Sequence, residues 1–165
     1  MGQGFEETEK AMKTKLRPDQ MPLLRTLPMA DDDSTRFFRL EEEYRLPFRG
    51  GFLVCPVNFV TDFASIPSFF QRIYSPTGYL LIAALFHDYA YANAYYLWQP
   101  FVEFPDEVFK TTVDQSEADN LFREIGWIYY PEHKKKTWVA YKALRIGGFV
   151  AWNEHREKAK EAKFI

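Results

Sequence analysis

The sequence predicts an α+β fold: a small antiparallel sheet from the N-terminal half, packed against about three helices, with an extended N-terminal arm. Three observations carry this expectation. Two β-like runs, Arg36 to Pro47 and Phe52 to Thr61, flank Gly50-Gly51, a pair suited to a hairpin turn. The run Tyr79 to Phe86 is apolar without interruption, as a helix surrounded by protein requires. Two later segments repeat their apolar residues with the helical period.

Taken in order, residues 1–35 read as an arm. The polar start MGQGFEETEKAMKTK has too few apolar residues to build a core face. Arg17 to Ala30 is then broken by Pro18, Pro22 and Pro28, with Leu23, Leu24, Leu27 and Met29 between them. Such a segment either straps its own domain or lies on a neighbouring subunit. Asp31-Asp32-Asp33 reads as a solvated turn, because it lacks the spaced ligands and Gly of a calcium loop.

Residues 36–152 read as one globular domain. Its sheet ends at the compact turn Thr61-Asp62-Phe63-Ala64-Ser65-Ile66-Pro67, in which the Asp62 side chain can accept backbone N–H groups two or three residues on. Ser75 and Pro76 suit the start of the buried helix, which places His87 and Asp88 at its C-terminal end. Residues 95–109 are rich in Tyr, Trp, Phe and Pro and read as a packed loop, or a lid or interaction loop. Asp114 and Glu117 have the spacing of a capping box, Ala118, Leu121, Phe122 and Ile125 give the apolar face that follows, and Gly126 is expected to close that helix. Pro131 opens the last helix, where Val139, Ala143, Ile146 and Val150 form an apolar stripe widened by Trp138, Tyr141 and Trp152. Gly147-Gly148 invites close approach of another element. Residues 153–165 alternate in charge, as a solvated helical tail does.

Composition bounds the function. A chain of 165 residues with 47% hydrophobic residues can bury one proper core, and 16 Phe, 10 Tyr and 4 Trp also furnish interface anchors. A net charge of −2 argues against general nucleic-acid binding, which draws its affinity from basic residues on phosphates. Lys134-Lys135-Lys136 is the one basic run, and it suits a solvated helix start better than a phosphate site. Cys55, the single cysteine, can form no intrachain disulfide, so synthesis inside the cell is expected. The start of the chain shows no signal-peptide pattern, and no apolar run approaches the roughly 20 residues that span a bilayer.

The pattern Pro56-Val57-Asn58-Phe59-Val60-Thr61-Asp62-Phe63-Ala64-Ser65-Ile66-Pro67, then an apolar helix ending in His87-Asp88-Tyr89-Ala90-Tyr91, resembles the phage and prophage proteins filed as domain of unknown function 1353. Glu117 to Phe122 and Ala143 to Gly147 fit the same resemblance, which covers roughly Phe37 to Trp152. Asn58 departs from it, standing where the family usually has Gly, and the aromatic stretch Tyr95 to Lys110 is longer than usual. The resemblance implies a phage origin and no established activity.

The residues with chemical potential are Asp62, His87 and Asp88. Adjacent His and Asp on a helix can reach one metal ion, and Asp62 or Asp119 could complete an Asp/His set for a divalent Zn, Mn or Fe. The earlier His that such hydrolases need is missing. The structural reading has His87 at the helix C-terminus, favoured there by the dipole, and Asp88 hydrogen-bonded in the core. Ser65 with His87 as base and Asp88 or Asp62 to orient it has the parts of an acyl-transfer set without a nucleophile elbow. Asp119 reads equally as an inward partner of His87 or as a surface carboxylate near a helix start.

Two functional classes follow. One is a virion-associated or assembly protein of a bacteriophage, of the tail or connector region, found in the virion or in the host cytoplasm during assembly. It needs no cofactor, and it would contact other phage structural proteins, or copies of itself, through the arm and the 95–109 loop. The alternative is a metal-dependent hydrolase using Asp62, His87 and Asp88.

Overall fold

The computed structural model describes residues 20–27, 37–61, 63, 80–101 and 107–161, with side chains through Glu157. Asp62, Ser65, Ser75, Asp31-Asp32-Asp33 and most of the arm lie outside these residues. Among the described residues the architecture is α+β, with two antiparallel sheets and three α-helices.

The first sheet joins β1 (Leu24–Thr26), β2 (Phe38–Leu40) and β5 (Val60–Thr61) in the order β1-β2-β5. Part of the segment expected as an arm is thus a sheet strand, with Leu24 opposite Leu40. The second sheet runs β3-β4-β6-β7, from Tyr44–Phe48, Gly51–Cys55, Tyr95–Pro100 and Phe109–Thr112. Its first hairpin turns on Arg49-Gly50, between the paired Phe48 and Gly51. Both turn residues have positive φ, 49° and 75°, as a two-residue hairpin needs to match the strand twist. The turn therefore sits one residue before the Gly50-Gly51 expected from sequence.

The single β run expected over Phe52 to Thr61 is divided between the sheets. At Pro56–Phe59 the chain leaves β4 and crosses to β2, with Asn58 N–H donating to Leu40 O at 2.8 Å and Leu40 N–H to Phe59 O at 2.9 Å. Asn58 makes this turn with φ 66°. That is left-handed backbone, which Gly adopts freely and Asn tolerates better than most residues. Asn58 is thus of a residue type that this left-handed turn accommodates.

Among its described residues, the aromatic stretch expected as a loop is mainly sheet. β6 pairs with β4 through Leu53 and Trp98, and β7 pairs with β6 through Trp98 and Phe109. Alternation of Tyr, Leu and Gln within Tyr95–Pro100 suits a strand whose last residues, Gln99 and Pro100, are buried.

Helix α1 (Leu81–Asn93) is buried on every side from Leu81 to Tyr91 and ends at Ala94, φ 58°, whose N–H returns to Ala90 O at 2.8 Å. His87 and Asp88 therefore lie mid-helix, because Tyr89-Ala90-Tyr91-Ala92 carry the helix on. The expectation that His87 caps its C-terminus is corrected. Arg156 does that work, donating to the Ala92 carbonyl at 2.9 Å and also to that of Tyr91.

Helix α2 (Gln115–Tyr129) opens with the capping box as expected. Asp114 accepts from Glu117 N–H and Glu117 from Asp114 N–H, both at 2.8 Å. Gly126 does not close it; the helix runs three residues further, and the bare Gly126 lets Thr137 pack against it. A 3-10 turn at Pro131–His133 leads into α3 (Lys134–Glu161). Its buried positions are Thr137, Ala140, Leu144 and Gly148. The expected stripe lies on the other side: Val139, Ile146 and Val150 are exposed. Small residues face inward because α3 approaches α1 and α2 closely; a Cβ at Gly148 would collide with the Tyr91 hydroxyl.

Candidate functional site

Four elements converge on one polar network inside this core. From α1 come His87, Asp88 and Tyr91, where His87 and Tyr91 share a face at i, i+4. From α2 comes Asp119, fully buried beside Ala118 and Phe122. β5 supplies Thr61, and α3 supplies Arg145.

The Asp119 carboxylate is the hub. Its Oδ1 contacts His87 Nε2 at 2.9 Å and accepts from the Tyr91 hydroxyl at 2.7 Å, while its Oδ2 accepts from Arg145 at 3.0 Å. Of the two readings open for Asp119, the inward one holds. Asp88 is tied differently: Thr61 Oγ1 donates to its Oδ2 at 2.5 Å, and Thr61 in turn accepts from Phe63 N–H at 3.0 Å. Asp88 is thus hydrogen-bonded within the core, as the structural reading expected. Its Oδ1 lies 3.6 Å from His87 Nδ1, an ion-pair separation too long for a hydrogen bond, and neither atom has another partner.

Charge explains the arrangement. Burial alone would push the His87 pKa down, but the hydrogen bond to Asp119 and the neighbouring Asp88 carboxylate outweigh it and hold the pKa above the ordinary value. A protonated His87 with Arg145 balances the charges of Asp88 and Asp119. The four buried or half-buried charges then sum to zero, which is the condition for keeping carboxylates out of water. Burial and the nearby Asp119 carboxylate raise the Tyr91 pKa, so its hydroxyl stays a donor. Rings seal the site: His87 stacks on Tyr91 with centroids 4.1 Å apart, and Phe122 meets the His87 ring edge-on at 5.8 Å.

The sequence-chosen trio is therefore brought together in part. His87 and Asp88 meet; Asp62 and Ser65 lie outside the described residues, although Asp62 follows Thr61 directly. Sequence reading missed Thr61, Tyr91 and Arg145 as members. Tyr91 sits four residues from His87, the one helical spacing that could have flagged it, whereas nothing local marks Arg145. As a metal site, the described residues offer His87 Nδ1 and Asp88 Oδ1, since Nε2 is committed to Asp119. Among the described residues no group of three or more His, Cys, Asp and Glu is placed to hold an ion.

A family model described as protein of unknown function (DUF1353) matches residues 38–144, well over half of the chain. The chain belongs to this family. No curated protein and no solved structure matches it. The DUF1353 match begins at β2 and ends within α3, so it contains every strand of both sheets except β1 and every residue of the network except Arg145, which directly follows its last residue. The segments that carry the DUF1353 resemblance in sequence, Thr61, His87 to Tyr91, Asp119 and Arg145, are the segments that the network joins. No helix among the described residues is long and apolar enough to cross a membrane.

Proposed function

We propose that this chain is a non-enzymatic virion-associated or assembly protein of a bacteriophage, working through its surface while its polar motif holds the fold together. The observation that supports this most is the sealing of the motif: His87 and Asp119 are both 0% exposed, and Asp119 uses both oxygens on partners within the chain. A hydrolytic centre needs its base and its nucleophile to reach substrate. Here the best-placed groups hold α1, α2, α3 and β5 to one another instead. The phage origin rests on the motif resemblance.

Quantitative mass spectrometry of purified particles tests the proposal. Fixed stoichiometry in virions is the expected result, with tail or connector fractions enriched; absence from mature particles and from assembly intermediates overturns it. Elemental analysis of untagged protein addresses the alternative, a hydrolase using Asp62, His87 and Asp88. Close to one equivalent of Zn, Mn or Fe, lost in His87→Ala together with a hydrolytic activity, would establish the alternative reading.

A further inference from the structure

The outer face of α3 is the largest run of unpartnered apolar side chains on any one described element. Ile146 is 85% exposed, and Phe149 and Val150 are 62% and 63% exposed. Val139 lies seven residues before Ile146, and Val150 four after it, so they share one helical face, with Trp138 and Phe149 along its edge. Contiguous apolar surface of this kind marks an interaction site.

The charges on the same face identify the partner. Lys135 lies eleven residues before Ile146 and Glu157 eleven after it. Eleven residues is close to three turns, so both project on the Ile146 side, about 16 Å along the axis in either direction. Both are exposed, and among the described residues neither has an ion partner within the chain. The opposite charges are thus equidistant from the apolar centre.

We infer that α3 pairs with the α3 of a second copy of this chain, antiparallel, about a two-fold axis passing at Ile146. That operation sets Ile146 against its own copy and Phe149 opposite Ala143 of the copy. It also places Lys135 level with Glu157 of the copy, twice over. A parallel pairing would set Lys135 on Lys135 and Glu157 on Glu157. Gly147, exposed about 100° round the helix from Ile146, leaves that flank of the seam without a side chain. Lys142, whose ammonium lies 5.2 Å from the Trp138 ring centroid, covers the rim with its stem. The inference does not depend on a phage role, because it concerns the purified chain alone.

Sedimentation equilibrium on the full chain tests it. A monomer–dimer equilibrium is expected, and Ile146→Glu should weaken it at least tenfold while the circular dichroism stays that of the wild type. Lys135→Glu and Glu157→Lys should each weaken it roughly 2- to 5-fold per pair broken, and the double reversal should restore it. Ile146→Cys, with Cys55 buried, should oxidise to a covalent dimer, since a residue on the axis meets its own copy. A chain that stays monomeric at about 100 µM, a weak-affinity limit, would overturn the inference. So would a double reversal that stays as weak as the single ones, or an Ile146→Cys chain that does not cross-link.

Discussion

The two faces of α3 are made of opposite materials. Inward it presents Thr137, Ala140, Leu144 and Gly148, with Arg145 reaching the Asp119 carboxylate; outward it presents Val139, Ile146, Phe149 and Val150. By side-chain hydrophobicity alone the outward face is the better core. It is not the core, because the space against α1 and α2 is largely filled by Tyr91, Phe122 and Ile125, and what fits there is three small residues, Leu144 and one long cation. Close packing and charge balance select the buried face here, and the greasier face is left for another molecule.

That comparison is broken most directly at Asp119. Asp119→Ala strips His87, Tyr91 and Arg145 of their common acceptor and leaves buried charge unpaired, a change that costs about 3–5 kcal/mol. Asp119→Asn, which keeps one acceptor oxygen, should cost less. Urea unfolding measures both, and a loss below about 1 kcal/mol for Asp119→Ala would mean that the network does not hold the helices together.

Adjacent glycines sharpen the contrast, because they differ in face and in little else. At Gly148 a Cβ meets the Tyr91 hydroxyl and Gln115, so Gly148→Ala should destabilise by about 1–3 kcal/mol through overpacking. At exposed Gly147 the same change gains helix propensity, and Gly147→Ala should stabilise the monomer by roughly 0.5–1 kcal/mol. Thermal unfolding of the two variants at low protein concentration decides it. Equal signs would contradict the assignment of faces.

Much of this fold is legible in sequence, and what is not has physical reasons. Strands near Gly50, the buried helix and the Asp114 capping box are local signals, set by turn chemistry, burial and hydrogen bonds to near neighbours. The sheet membership of Tyr95–Pro100 is not local: its aromatic residues suit a packed loop or a strand equally until β4 is there to pair with it. His87 and Asp88 stand out because polar residues interrupt an apolar run. Arg145 does not, since a cation on a charged helix looks solvated until Asp119, 26 residues earlier, is placed opposite it. The outward stripe was visible as apolar but not as outward, for periodicity reports that a face exists and says nothing of what covers it.

The inner face should also respond to pH. Because the His87 pKa is held above its ordinary value in the folded chain, its protonated form contributes stability that is fully present below about 6.5, the ordinary histidine value. This contribution is lost as pH rises through the folded pKa. Unfolding free energies of wild type and His87→Asn, compared across that rise, should converge toward the alkaline side. A difference that widens with pH would mean that His87 is buried neutral.

The smallest effect on the monomer belongs to the outer face. Ile146 is almost fully exposed, so Ile146→Ser removes little buried area and should change monomer stability by no more than about 0.5 kcal/mol, measured where the chain is dilute. The informative quantity is the dependence of the unfolding midpoint on concentration. Dimerisation stabilises by mass action, so the wild-type midpoint should climb with protein concentration, whereas that of Ile146→Ser should climb far less. Asp119→Ala, by contrast, should lower the midpoint at every concentration and leave the climb in place wherever the chain remains folded. If Ile146→Ser lowered the dilute midpoint as Asp119→Ala does, the outer face would be part of the chain's own core, and the two faces of α3 would differ in composition but not in role.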